Sequence, residues 1–384
     1  MVTFVNKECL GTMEKIYMSY KRFAKDVNVG ERVLVDDGKL MFEVIETNNE
    51  YTVKLKVLFG GTLSSNKGVN LPFTKISLPS LTPKDEVDLE FILTQPIHWI
   101  ALSFVRSAKD MKDLRKRIDA AGHQAKTIAK IEKPEAIEKL DKIIKASNGI
   151  MVARGDLGVE MPMEQLPLLQ KLIIKKCIQR ARPVIVATHM MDSMITQPMA
   201  TRAEITDVAN AVLDGADAVM LSGETSVGVH PVKVVEAMNK IIAEAEKKYA
   251  IEEKRPIPSK KSRTFLSDAV CFNAGRIAEE IGASAIIGMT SSGYTAFKVS
   301  SYRPSPEIYM FSDKTHMLST LNLVWGVKTF YYDKFTTTDE TIDDVTEILK
   351  NAGLVNQGDV IVNTGSMPLG RRHRTNMLKV TVIE

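Results

Sequence analysis

Two hydrophobic periods divide the chain. In residues 1–75, short apolar or alternating runs at 32–35, 41–45 and 51–58 are separated by the turn signals Asp36-Asp37-Gly38, Asn48-Asn49 and Gly60-Gly61, the pattern of a small β domain. Asp36-Asp37-Gly38 and Asn66-Lys67-Gly68 read as tight turns between strands. From about Leu81 the period changes. Thr82 is placed to cap a helix whose first residue is Pro83. Beyond it, strand-like runs at 97–104, 126–131, 149–153, 183–188 and 216–221 alternate with helical patterns at 107–121, 134–146, 163–180, 201–213 and 231–249. This is a repeated βα unit, hence a parallel sheet. A closed barrel of this kind needs eight units. Five are present, preceded by one helix without its strand. The stretch 252–263, EEKRPIPSKKSR, is rich in Lys, Pro and Ser and marks a boundary. Residues 264–384 then read as a further α/β unit, with a helix at 266–281 and strands at 285–289 and 360–363.

The strand ends carry the candidate chemistry. Residues 149–162 read GIMVARGDLGVEMP, an apolar run that breaks at Arg154 into the turn residues Gly155-Asp156-Leu157-Gly158, so a loop is expected there. Arg154 and Asp156 then lie at a strand's carboxyl end, the edge where parallel sheets bind ligands. One strand earlier, Lys130 and Glu132 are two residues apart and share a face. Either stretch alone reads as a structural ion pair, but the two at matching ends of successive strands point to a site. Thr188 and His189 follow the strand at 183–188, and Ser222 and Glu224 the strand at 216–221, so all join one rim. A lone histidine there is more often an orienting residue than a base, and Met190, Met191 and Met194 read as packing. In the last unit the loop Thr290-Ser291-Ser292-Gly293-Tyr294-Thr295 suits either a phosphate at a helix N-terminus or simple capping. A second loop there ends in Arg371-Arg372-His373-Arg374 and is strongly basic.

Composition narrows the class. With 384 residues, 44% hydrophobic and 26% charged, the chain has room for two or three domains of an ordinary globular kind. Its 51 basic and 47 acidic residues are interspersed, which leaves no electrostatic footprint for nucleic acid. Cys9, Cys177 and Cys271 are odd in number and far apart, supporting neither a disulfide framework nor a zinc site. No run of 18 apolar residues occurs, and the first thirty residues are too charged for a signal peptide, so a cytoplasmic setting without membrane contact is expected.

The strings KIE (130–132), MVARGDLGVE (151–160), ATHMMDSM (187–194), TRAEITDVANAVLDGADAVMLSGET (201–225) and NKGVNLP (66–72) together resemble pyruvate kinase, from about Val29 to the end. The resemblance implies a (β/α)8 barrel with a small β domain inserted after its third strand and a C-terminal regulatory domain. The fold is then α/β: an incomplete (β/α)8 barrel in 76–251, a small N-terminal β domain in 1–75 and a C-terminal α/β domain in 264–384. On this reading the chain begins inside the inserted domain. The first three barrel strands, which in the family supply a substrate arginine, potassium ligands and part of the nucleotide site, are absent, and the chain alone is expected not to turn over. Two departures stand out: His189 occupies a position that is usually Gln, and residues 371–374 one that is usually glycine-rich.

The implied reaction moves a phosphoryl group from phosphoenolpyruvate to ADP, which needs charge neutralisation and positioning more than covalent help. Glu132 and Asp156 can supply hard oxygen ligands for Mg²⁺ or Mn²⁺. Lys130 can sit against the phosphoryl group in transfer, and Arg154 can help hold an anionic substrate beside the metal. By resemblance, Gly155, Asp156 and Thr188 contact the substrate and Lys67 reaches the nucleotide phosphates from a lid. Thr188 with water, or the Ser222/Glu224 pair, would deliver the proton to the enolate. A requirement for K⁺, a sugar-phosphate effector at residues 290–295 and the basic loop, and a homotetramer are further implications. Two alternatives are a catalytically inactive fragment that keeps oligomer and effector contacts, and a Mg²⁺-dependent lyase acting on pyruvate enolate. The turn at Asn66-Lys67-Gly68 argues against the lyase, which has no phosphates for a lid lysine to hold.

Overall fold

The computed structural model describes residues 1–36, 38–72, 74, 79–247, 257–334, 336–367 and 374–384. Asp37, Tyr249, residues 252–256 of the boundary stretch, and Arg371, Arg372 and His373 of the basic loop lie outside the described residues.

Alternation builds the first sheet. In Thr52–Phe59 the inward residues Val53 and Leu55 are fully buried while Lys54 and Lys56 face outward. Strands β1 (Val2–Val5), β2 (Lys15–Tyr17), β3 (Arg32–Val35), β4 (Leu40–Thr47), β5 (Thr52–Phe59) and β6 (Val69–Asn70) lie in the order β2-β1-β5-β4-β3-β6. Only the β1/β2 pair is parallel. A short helix α1 (Phe23–Asp26) closes the core, where the Phe4 and Phe42 rings meet edge to face at 5.5 Å.

The second sheet is all parallel: α2 (Pro83–Ile92), β7 (Trp99–Leu102), α3 (Ala108–Ala120), β8 (Lys126–Ile131), α4 (Pro134–Glu138), α5 (Leu140–Ala146), β9 (Gly149–Ala153), α6 (Arg154–Glu160), α7 (Leu166–Gln179), β10 (Val184–Ala187), α8 (Arg202–Leu213), β11 (Ala218–Met220), α9 (Gly223–Ser226) and α10 (Pro231–Glu246). Thr82, Ser107 and Thr201 each cap a helix in a reciprocal box with an acid three residues on. The strand order is β11-β10-β9-β8-β7, a five-stranded sheet whose edges β7 and β11 pair with no further strand among the described residues. This is the open part of a barrel that five units cannot close.

Two expectations differ from the structure here. Residues 134–146 form two helices broken at Lys139, which leaves helical geometry at ψ 15°. Residues 154–160 are not a loop but helix α6, which starts directly at the end of β9. Gly155 and Gly158 mislead as turn residues because both lie inside a helix, Gly158 where a side chain would crowd Leu166 and Gly155 where one would make ordinary contact. A side chain at Gly155 would stand 3.4 Å from Thr188 Oγ1, and one at Gly158 3.3 Å from Leu166.

The third sheet follows α11 (Phe265–Glu280) and comprises β12 (Ala285–Met289), α12 (Tyr294–Ser301), β13 (Glu307–Ser312), α13 (Thr315–Leu321), β14 (Val327–Tyr331), α14 (Thr338–Asn351), β15 (Val360–Gly365) and β16 (Met377–Val382), in the order β14-β13-β12-β15-β16. Helices cover both faces, and only β16 runs antiparallel.

This last unit docks on the amino ends of the second sheet. Trp99 Nε1 donates to the Thr320 carbonyl at 3.2 Å, and Leu323 packs on the apolar face that Ile128, Met151 and Ile185 present. Buried Arg303 donates to Asp217 Oδ1 at 3.2 Å and to the Gly215 carbonyl at 2.7 Å, with the Trp325 ring 5.0 Å from its guanidinium carbon. Asp217 also accepts from the Val184 and Trp325 amides. Arg303→Met, which strands that carboxylate inside the protein, should lower the unfolding free energy by roughly 3–5 kcal/mol. Urea denaturation followed by circular dichroism measures it, and a loss below about 1 kcal/mol would contradict the assigned burial.

Candidate active site

The two faces of the parallel sheet decide where charge can sit. Ala129, Ile131, Ile150, Val152, Val184 and Val186 pack toward the helices, whereas Ile128, Met151, Ile185 and Ala187 cluster on the other face. Lys130 stands level with Met151 and shares the face of Ile128 two residues earlier. Its ammonium therefore emerges where the second apolar layer stops. There it lies 2.7 Å from Glu132 Oε1 and donates to Ser103 Oγ at 3.1 Å. Glu132 is almost fully buried, and its Oε2 accepts the Phe104 N–H at 2.5 Å. Oε1 faces Lys130 as an ion pair but has no aligned hydrogen-bond donor.

Asp156 lies in the first turn of α6, where the helix dipole favours a carboxylate, and makes no hydrogen bond or ion pair among the described residues. Asp156 thus offers oxygens that no described residue engages, and Glu132 Oε1 one that only the Lys130 ammonium faces. No group of three or more His, Cys, Asp and Glu side chains gathers to hold a metal among the described residues. Two carboxylates without nitrogen or sulfur donors fit Mg²⁺, which retains waters and substrate oxygens, and do not fit zinc.

Arg154 holds the framework of the rim. Only 10% of its side chain is exposed, and it donates to Asp207 Oδ1 on α8 at 2.6 Å and to the Thr188 carbonyl at 2.8 Å. Its clamp secures a strained turn, since Thr188 and His189 have φ of 71° and 52°, rare for residues with a Cβ and rarer for a β-branched one. The Thr188 hydroxyl accepts the Gly155 N–H at 2.7 Å and donates to the Ala187 carbonyl at 2.6 Å. His189 is exposed, with its ring against Gly155. At the next strand end Glu224 is buried and accepts the amides of Met191 and Ser222, whereas the Ser222 side chain is exposed. The two are joined through backbone rather than hydroxyl.

Elsewhere, Lys67 Nζ is 2.8 Å from Asp36 Oδ1, and this hydrogen bond holds the Asp36 carboxyl below its usual range. In residues 290–295 the Thr290 hydroxyl accepts the Gly293 amide at 3.0 Å and the Ser292 hydroxyl the Tyr294 amide at 3.4 Å. Lys314 donates to the Ser291 carbonyl, and Thr295 bonds Thr375. Of the basic loop, Arg374 alone is described, and it donates to the Arg263 carbonyl.

The sequence reading missed Ser103, Phe104, Asp207, Lys133 and Glu160. Ser103 and Phe104 were legible as residues at another strand's carboxyl end. Lys133 directly follows KIE and Glu160 is the last residue of MVARGDLGVE, and only their distance in space makes them partners: Lys133 Nζ is 2.6 Å from Glu160 Oε1, with both side chains buried.

Family models described as the barrel domain and the alpha/beta domain of pyruvate kinase match residues 2–235 and 268–381. The match therefore begins at residue 2, not near Val29 as the motifs suggested. A pyruvate kinase of Geobacillus stearothermophilus is 43% identical over 380 residues, covering 98% of this chain and 64% of the relative. Pyruvate kinase 2 of a Synechocystis strain is 41% identical, with 98% and 63% covered, so the chain spans less than two thirds of both relatives. A crystal structure of a pyruvate kinase from Cryptosporidium parvum superposes with a TM-score of 0.88 at 34% identity, over 100% of this chain and 78% of that one.

Thr188→Val keeps the shape at the strained turn but leaves the Gly155 amide unpaired, which should cost about 1–3 kcal/mol. Hydrogen exchange at the Gly155 amide should accelerate with it. Unchanged exchange at that one amide would mean that the Thr188 hydroxyl does not anchor α6.

Proposed function

The chain belongs to the pyruvate kinase family, and from that premise we propose that it serves phosphoryl transfer from phosphoenolpyruvate to ADP, giving pyruvate and ATP. The observation that carries this reading is the Lys130 ammonium, held by Glu132 and Ser103 at the carboxyl end of a parallel sheet whose next strand end carries the Asp156 carboxylate, unpaired among the described residues. A fixed cation there stabilises charge that grows on a phosphoryl group in flight. Glu132 and Asp156 would hold Mg²⁺ or Mn²⁺, which when bound neutralises phosphoryl oxygens.

In this reading Gly155 and Thr188 line the substrate. Arg154 keeps the turn at Thr188 in place, a positioning task. The enolate left after transfer takes its proton through Thr188 and water. Glu224 is less suited to that step, because both its oxygens already accept backbone amides. The first sheet acts as a lid from which Lys67 reaches the nucleotide phosphates. A cytoplasmic homotetramer that requires K⁺ is part of the proposal on family membership alone. A sugar phosphate would bind at Thr290, Ser291, Ser292, Gly293, Tyr294 and Thr295. Calorimetry with sugar mono- and bisphosphates should show heat of binding that Ser291→Asp reduces, and a flat titration with all of them would remove this site.

Lys130→Met tests the central claim. In the chain extended upstream by three βα units from a relative, it should lower kcat for pyruvate formation by a factor on the order of 10² or more. Exchange of the pyruvate methyl protons with solvent should survive, since that step transfers no phosphoryl group. If transfer and exchange fall together, Lys130 supports the structure rather than the reaction.

A further inference from the structure

Helix α6 carries Asp156 in its first turn and Glu160 at its last residue. Glu160 is one half of a buried ion pair whose other half, Lys133, directly follows Glu132 in the chain, with the two side chains 2% and 9% exposed. Lys133 also lies 5.8 Å from the centre of the Phe104 ring, and Phe104 gives its N–H to Glu132. The contacts close a loop from Glu132 through Phe104 and Lys133 to Glu160, and along α6 to Asp156. Asn70 of β6 extends it to the first sheet, with its Nδ2 3.4 Å from Glu160 Oε1, and Gly38 of the β3/β4 turn approaches Val159 on the same helix.

A buried ion pair gains little net stability, because desolvating two charges offsets most of their attraction. Its placement here suggests another use. We propose that the Lys133/Glu160 pair is a positioning device for the metal site: it fixes the separation of Glu132 and Asp156, and through Asn70 it ties that separation to the seating of the first sheet. The inference rests on reading Glu132 and Asp156 as the metal carboxylates. It follows that metal binding and the seating of the small sheet favour each other.

The test is Mn²⁺ titration of the full chain, with free Mn²⁺ read by electron paramagnetic resonance and unfolding midpoints measured in parallel. The chain should bind Mn²⁺ and Asp156→Asn should lose it. If Asp156→Asn binds as well as the parent, the carboxylate reading fails and this inference with it. Lys133→Met/Glu160→Leu replaces the pair by apolar groups, so its midpoint should stay near the parent value while the Kd for Mn²⁺ rises about 10-fold or more. Glu160→Gln, which retains the shape and the Asn70 contact, should raise it too. Asn70→Ala should move the Kd in the same direction by a smaller factor, and no movement would detach the first sheet from the device. Parent-like Mn²⁺ affinity in either folded pair variant, with Asp156→Asn inactive in binding, overturns the proposal while leaving the carboxylates in place.

Discussion

A parallel strand covered on both faces leaves no place for charge except at its ends. All five residues of β9 are buried, and its neighbours β8 and β10 divide their side chains between two apolar layers. Lys130 and Glu132, Arg154 and Asp156, Thr188, and Glu224 therefore gather at the carboxyl edge because the interior admits none of them. The amino edge is equally polar, but there Asp217 and Arg303 are consumed in docking the third sheet. The carboxyl edge keeps the Asp156 carboxylate without a hydrogen bond or ion pair among the described residues.

Two of the charges on the rim, Arg154 and Glu224, hold the protein together. Arg154 and Glu224 look like chemistry in a motif, yet their hydrogen bonds go to backbone and, for Arg154, to the side chains of Asp207, Gln170 and Met190. Such groups set the positions of the few that remain available. Charge-assisted bonds suit this task because they are shorter and stronger than neutral ones. The strained φ angles at Thr188 and His189 are tolerated because Arg154 and the Gly155 amide determine that turn from two sides.

Much of the fold was legible from period alone. Strands β8 and β9 were placed to the residue, β9 because an unbroken apolar run bounded by Asn148 and Arg154 leaves little choice of limits, β8 because Ile128, Ala129 and Ile131 keep a buried strand legible around Lys130. β1 and β2 escaped because they are short, and β2 has two of its three residues exposed, so no alternation marks it. α6 escaped because glycine signals a turn in sequence, and only the neighbouring Leu166 reveals, at Gly158, glycine used for close approach. At the candidate site, the positions of Lys130, Glu132 and Asp156 on one rim were legible because they sit at fixed offsets from strand ends. Their partners Ser103 and Phe104 were legible as residues at the carboxyl end of the strand at 97–104, but only the folded structure pairs them with Lys130 and Glu132.

The contact between Trp99 and the Thr320 carbonyl spans 221 residues of chain. Strand β7, at one edge of the second sheet, is thus finished by a segment synthesised long after it. During that interval the apolar layer of Ile128, Met151 and Ile185 lacks Leu323 as its cover. Non-local closure of this sort slows folding and lengthens exposure of sticky surface. The price of anchoring the third sheet at the amino ends of the second is a nascent chain whose apolar layer stays uncovered until nearly all of it has emerged.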